Sequence, residues 1–260
     1  MKKKLIFIVS LLFNCYLYSQ KVVSLLPSYT EIIFALNAGD KLVGVTNFCN
    51  YPPEAQSIEK VGDYINPNIE KIYKLKPEII FIGGWKNDFI KKIKELNAQI
   101  VVLNEEKNID DIYKTIKTIA KYLNKEEEGV KLVSWMKKEI KNFNKSYKKV
   151  YVEIDNGGWS CGSDSFISDV ISKSGGINIF NNVKKSYFKS NWEEVVKRDP
   201  QVVMLLNTDY DEFLKRPMIK NIRASKENKI FKLNNEERDI LSRPSPRIVT
   251  IIKRLNEMIK

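Results

Sequence analysis

From Lys21 onward, short apolar runs alternate with stretches in which apolar residues recur every three to four positions. Val22-Val23-Ser24-Leu25-Leu26, Leu42 to Thr46, Ile79 to Ile82 and Ile100 to Leu103 read as buried strands. Between them, Thr30 to Asn37, Asn68 to Leu75 and Asp88 to Leu96 have helical spacing, and Pro27-Ser28 reads as a turn. Strands alternating with helices predict a parallel or mostly parallel sheet with helices on both faces.

The pattern then changes. Ile109 to Leu123 is apolar at helical spacing, and Glu126 to Tyr147 reads as a long helix with Val130, Val133, Met136, Ile140 and Phe143 on one side. A helix of about 22 residues spans about 33 Å, enough to run behind two domains and join them. Alternation resumes with Val150 to Ile154, Phe166 to Ser172, Val202 to Leu206 and Ile230 to Leu233, and a helix from about Arg247 to Ile259 closes the chain. The expected organisation is an N-terminal α/β lobe over 20–108, a helical linking segment over 109–148 and a C-terminal α/β lobe over 149–260. An internal echo supports two similar lobes. Glu70 to Ile82 and Glu193 to Leu205 share one helix, proline, strand pattern at a constant offset of 123 residues.

Ahead of the first strand, Lys2, Lys3 and Lys4 precede the apolar run Leu5 to Phe13, which is short for a membrane span and reads as a signal peptide over 1–19. Cleavage after Ser19 suits the small residue before Gln20; lipid anchoring at Cys15 is the alternative ending. Either way the expected location is periplasmic. Removing the three lysines takes the formal charge from +12 to +9. That charge is spread as lysines beside Glu and Asp, with no arginine-rich strip, which speaks against nucleic acid as a partner.

The chain has no histidine. It therefore lacks the commonest general base and the commonest transition-metal ligand, and Ser163 and Ser165 have neither a nucleophile elbow nor an imidazole to serve them. Gly83-Gly84, Gly157-Gly158 with Gly162, and Gly175-Gly176 match neither the dinucleotide nor the P-loop pattern and read as tight turns. A non-enzymatic monomer with no cofactor and no metal site of its own is expected. Aromatic residues instead cluster in predicted loops after strands: Tyr51, Tyr64, Trp85, Trp159 and the pair Tyr187-Phe188. Ligands of open α/β sheets bind outside the carboxyl ends of the strands, so an aromatic-lined cleft between the lobes is expected.

Ordered motifs then point to a family. Val23-Ser24-Leu25-Leu26-Pro27-Ser28-Tyr29-Thr30-Glu31, Val43-Gly44-Val45-Thr46 leading into Asn50-Tyr51-Pro52-Pro53, Val61-Gly62 with Asn66-Pro67-Asn68-Ile69-Glu70, Gly175 to Phe180 and Arg243-Pro244-Ser245-Pro246-Arg247-Ile248 span the mature chain. Together they resemble the cobalamin (vitamin B12)-binding proteins of bacterial ABC importers, within the solute-binding family that also carries ferric siderophores and haem. The resemblance implies two Rossmann-like lobes joined by a single long α-helix, with little hinge motion and a corrinoid in the cleft. It implies ligand contacts at Tyr51, Tyr64, Trp85, Trp159 and Tyr187, with Asp239 and Arg243, in the loop before the last helix, as polar cleft residues.

The same resemblance implies docking of an ABC permease through one acid per lobe, here Glu70 and Glu193, which are also favourable acids in the first turn of a helix. Tyr64 and Ile240 stand where relatives often carry tryptophan, and Cys161 where they carry a small residue, departures that bear on the ligand more than on the fold. Cys49 and Cys161 fall in loops expected to face the cleft, either bonded or free. Two alternatives stay open: a ferric siderophore or haem, with Arg243 and Lys184, Lys185 or Lys189 as basic contacts, and a periplasmic metal-handling enzyme on the same two-lobed plan.

Overall fold

The computed structural model describes residues 20–84, 87–141, 143 and 146–260. The signal segment 1–19 with Cys15, and Trp85, lie outside the described residues. The N-terminal lobe runs β1 (Val22–Ser24), α1 (Pro27–Ala35), β2 (Leu42–Val45), α2 (Ile69–Leu75), β3 (Ile79–Gly83), α3 (Asn87–Ile93) and β4 (Gln99–Leu103). Two helices follow, α4 (Ile109–Leu123) and α5 (Glu126–Lys141). The C-terminal lobe runs β5 (Lys149–Asp155), β6 (Trp159–Cys161), α6 (Phe166–Lys173), β7 (Ile177–Asn178), β8 (Tyr187–Lys189), α7 (Trp192–Arg198), β9 (Val202–Asn207), α8 (Tyr210–Leu214), α9 (Arg223–Lys226), β10 (Ile230–Lys232), α10 (Asn235–Ser242) and α11 (Ile248–Ile259).

Each lobe holds a four-stranded, wholly parallel sheet, in the orders β2-β1-β3-β4 and β7-β5-β9-β10. The orders are the same once β5 is matched to β1 and β9 to β3. The offset of 123 residues holds in three dimensions as well. Helices α2 and α7 correspond residue for residue, each N-capped by an asparagine, Asn68 or Asn191, and each ended by a left-handed residue, Lys76 or Asp199.

Alternation along the strands assigns the cores. Ile79, Phe81, Val202 and Met204 enter one large core shared by both lobes, together with the apolar faces of α1, α4, α6 and α11. Ile80 and Ile82 face a separate outer core in the first lobe, while Tyr151, Val203 and Leu205 face another in the second. Both sheets are thus covered on each side, as parallel sheets require. A shared core that includes α4 and α5 opposes hinge motion, because opening the lobes would expose packed apolar surface.

Three local expectations change. Pro27 begins α1 rather than forming a turn, because its missing N–H is no loss at the first helical position. The linking helix α5 stops at Lys141, and Tyr147 has a left-handed backbone, so the helix is 16 residues and about 24 Å long. It turns tightly out of α4 through Asn124 (φ 55°), and Gly129 is required there, since a Cβ would lie 2.8 Å from that of Ala120. Trp159 and Tyr187 lie in strands rather than loops. β6 and β8 pair antiparallel as a separate two-stranded ribbon with Trp159 opposite Lys189 and Cys161 opposite Tyr187. Among the described residues no helix is long and apolar enough to cross a membrane.

Candidate functional site

The carboxyl ends of both sheets open on a cavity of about 760 Å³ between the lobes. On the first lobe its wall includes Pro27, Phe48, Tyr64, Glu105 and Glu106; on the second it includes Asp155, Trp159, Asp164 and Tyr187. Tyr64 rides on a turn in which the Asp63 carboxylate accepts from the backbone N–H groups of Ile65 and Asn66 at 2.7 and 2.6 Å. Its ring meets Phe48 at 6.2 Å in a tilted pair.

On the opposite wall, β6 is entered through a turn held by the Asp155 carboxylate, which accepts from Gly157 at 2.8 Å, with Gly158 in a left-handed conformation (φ 76°). The antiparallel register puts Trp159 and Tyr187 on the same face of the ribbon. Both remain about 45% exposed, so their rings are available to a bound molecule. Burial, then the Cys161 thiol and the Glu105 carboxylate, hold the Tyr187 hydroxyl up at about 12, so it stays protonated as a donor.

The third side of the cavity is polar. Glu31 of α1 is buried and accepts from Ser245 (2.6 Å), Arg247 (3.0 and 3.1 Å) and, more distantly, Arg243 (3.5 Å). Arg243 also donates to Asn50 (2.6 Å) and Asp239 (3.0 Å). This knot ties the first lobe to the C-terminal segment across more than 200 residues of sequence. Both arginines lining the cavity are engaged, since Arg238 donates to Asn207 and Asn235.

The structure brings Tyr64, Trp159, Tyr187, Asp239 and Arg243 together around one cavity. Tyr51 is not among the lining residues: the Arg247 guanidinium covers its ring at 3.7 Å, a cation–π contact that props up the ionic knot. Asp239 lies on α10 and Arg243 caps that helix, rather than both lying in a loop. The signal was present as Asn234 followed by Glu237, which form a capping box.

Lys184, Lys185 and Lys189 do not line the cavity. Cys49 and Cys161 are unbonded and buried, one in each lobe, and neither is among the residues lining the cavity. Cys49 contacts the Thr30 and Thr46 hydroxyls at 3.2 Å each. Phe48, Glu106 and Arg238 line the cavity without having been expected there. For Glu106 the carboxyl-end rule that picked out the aromatics would have served, since it follows β4. Glu70 and Glu193 are both exposed, at equivalent second positions of α2 and α7. Among the described residues no group of three or more His, Cys, Asp and Glu side chains is placed to hold a metal ion.

Two α/β lobes on one plan, a helical link and a cavity between their strand ends define a bilobal solute-binding protein. The periplasmic binding protein family model matches residues 22–237, and the chain belongs to that family, whose members are non-enzymatic substrate-binding proteins of ABC transporters acting outside the cytoplasm. This removes the metal-handling enzyme from consideration.

An ABC transporter substrate-binding lipoprotein of Bacillus subtilis, YvrC, itself uncharacterized, is 28% identical, with 92% of this chain and 80% of that protein covered. The vitamin B12-binding protein of Vibrio cholerae is 27% identical over 93% of this chain and 90% of that one. A solved structure from Staphylococcus epidermidis, described as a possible iron-binding (periplasmic solute-binding) protein, aligns with a TM-score of 0.82 at 28% identity, covering 92% of this chain and 98% of that one.

Proposed function

We propose that the protein is the extracytoplasmic component of an ABC importer that captures cobalamin or a related corrinoid and delivers it to the membrane permease. The observation that carries this reading is the pairing of Tyr64 and Phe48 on one wall of a cavity of about 760 Å³ with Trp159 and Tyr187 on the other. Flat rings on facing walls suit a broad, flat ligand held by contact area, with little reorganisation when it enters. No protein imidazole is present to ligate cobalt, so capture leaves the metal's axial chemistry alone.

The permease is met through Glu70 and Glu193. Their equivalence supports this role: each is the second residue of α2 or α7, exposed, on a lobe related to the other by the 123-residue repeat. A partner with two similar membrane subunits presents two similar basic sites, and one acid per lobe matches that symmetry.

A ferric siderophore or haem is the second reading, favoured by the likeness to the Staphylococcus epidermidis protein. The cavity's charge weighs against an anionic form of either. Five lining carboxylates (Glu105, Glu106, Asp155, Asp164 and Asp239) face three cations (Lys107, Arg238 and Arg243), and the two arginines already have partners.

Titration of the mature protein with cyanocobalamin, a ferric siderophore and haemin, followed by heat and by tryptophan fluorescence, separates these readings. Saturable binding of cyanocobalamin with a change in Trp159 emission is expected. Binding of the siderophore or haemin alone overturns the corrinoid reading.

A further inference from the structure

Glu106 differs from the other carboxylates of the cavity. Among the described carboxylates that line the cleft it alone is nearly fully buried, with 6% exposed. The chain puts it there between β4 and α4, at the carboxyl end of the first sheet. Its Oε1 accepts from the Thr115 hydroxyl at 2.6 Å, and among the described residues no cation pairs with it.

Among the described residues no cation is paired with Glu106, and most of the groups facing it are acidic or neutral. From α4 comes Asp111, itself engaged by Lys114 at 2.8 Å, and beside it in the chain stands Glu105. From α1 comes Tyr29, fully buried, whose hydroxyl finds no hydrogen-bond partner among the described residues. Burial, and then the Glu106 charge, hold the Tyr29 proton well above the usual tyrosine range. Across the cavity stand Asp155, Asp164 and Tyr187; Lys107 is at the near wall, and Arg238 and Arg243 are engaged elsewhere.

We propose that Glu106 is a specificity-determining residue of the cleft, which accepts a hydrogen bond from an amide or ammonium N–H of the ligand and turns away ligands that bring a carboxylate or phenolate to that wall. The inference rests on the cleft being the ligand site, and it adds a class of ligand: uncharged and amide-rich, or cationic. An ionised carboxylate buried without a paired cation is costly even when a hydroxyl donates to it. Burial, against hydrogen bonds from Thr115 and from its own backbone and with help from Asp111 and Glu105, raises Glu106 to about 7, so the cleft takes up a proton near neutrality. A ligand N–H adds a second donor to the carboxylate and expels that proton; an anion meets like charge instead.

The test uses the mature protein and four probes: cyanocobalamin, cyanocobalamin with one peripheral amide hydrolysed to the acid, the cationic ferric hydroxamate of desferrioxamine B, and haemin. The ionised fraction of a group titrating near 7 falls about tenfold between pH 8 and pH 6, and apparent affinity for an amide or ammonium ligand falls with it. A tenfold weakening of the wild type is therefore expected over that interval, with a flat profile in Glu106→Gln. The acid derivative should bind at least tenfold more weakly than its parent at pH 8, and Glu106→Gln should narrow that gap. Thr115→Val, which removes the hydrogen bond favouring the carboxylate, should move the midpoint of the pH profile upward.

Tightest binding of haemin or the acid derivative at pH 8, a pH profile unchanged in Glu106→Gln, or binding of none of the four probes overturns the proposal. Binding of the hydroxamate with the expected profile, and not of cyanocobalamin, overturns the corrinoid reading and sustains the role of Glu106.

Discussion

The two lobes share a sheet order and a 123-residue offset, yet Glu31 in the first and Glu153 in the second, both buried in ion pairs, find their partners in different ways. In the second lobe Glu153 is fully buried and is met by Arg216 of the same lobe in a two-pronged pair at 2.5 and 2.6 Å, with Tyr151 and Thr208 completing its hydrogen bonds. In the first lobe Glu31 takes its partners from Ser245 and Arg247 at the far end of the chain, with Arg243 beside them. One lobe is electrostatically closed; the other is completed only when the C-terminal segment returns to it. The lesson is that similar folds do not imply similar independence.

The largest expected effect follows directly. Glu31→Ala leaves Arg243 and Arg247 without their buried anion and should cost about 3–5 kcal/mol, as breaking a buried pair from one side does. Denaturant unfolding measures the loss, and hydrogen exchange should show α1 opening together with α11. Glu153→Ala should cost a similar amount but raise exchange within the second lobe alone. Equal spread of both effects over the whole chain would erase the contrast.

Glu106 gives the next effect, and its sign is opposite. A carboxyl that keeps its proton to about 7 when folded, against an ordinary value of 4.5, favours the folded state below about pH 4.5 and loses that advantage as pH rises to 7. Glu106→Gln, which never ionises, should therefore be more stable than wild type at pH 8, by about 3 kcal/mol if the full shift is expressed, and no more stable at pH 4. Thermal unfolding at the two pH values checks this, with a gain at pH 4 but none at pH 8 as the contrary result.

Smaller still are the effects on the cleft walls. Trp159→Ala and Tyr187→Ala each remove an exposed ring from the ribbon of the second lobe, and each should weaken ligand binding about tenfold while changing stability by less than about 1 kcal/mol. Tyr51→Ala, away from the cavity, should act on stability through Arg247 more than on affinity. Isothermal titration beside thermal unfolding separates the two kinds of effect.

The smallest change in the protein itself is expected for Glu70→Ala combined with Glu193→Ala. Both sites are exposed helix starts, so stability should shift by at most about 1 kcal/mol and ligand affinity should hold. Stimulation of the cognate transporter in proteoliposomes should be lost. A fall in ligand affinity would instead assign these acids to the pocket.

Much of this fold is legible from local pattern. The helix from Ile109 to Leu123 agrees with α4 end to end, because its apolar stripe, its Asn108 cap and its stop at Asn124 are all encoded within a few residues. The repeat at 123 residues anticipates the matching of α2 with α7 and β3 with β9 for the same reason. Local pattern misleads where two rules compete: Pro27 signals a turn and a helix start equally well, and only the helix that follows decides between them.

The ribbon of β6 and β8 shows where local information ends. Trp159 is paired with a residue 30 positions away, and with strands of three residues each neither sequence carries enough alternation to announce itself. The Glu31 knot is more distant still. The sequence by itself determined the lobes, the repeat and the aromatic residues near the strand ends, since these follow from periodicity and chain order. Tertiary structure alone decided which aromatics face the cavity, that Tyr51 supports Arg247, that the cysteines are buried apart and that Glu106 stands buried in the cleft with no cation paired to it among the described residues. Burial and charge pairing depend on segments that meet only when the chain has folded.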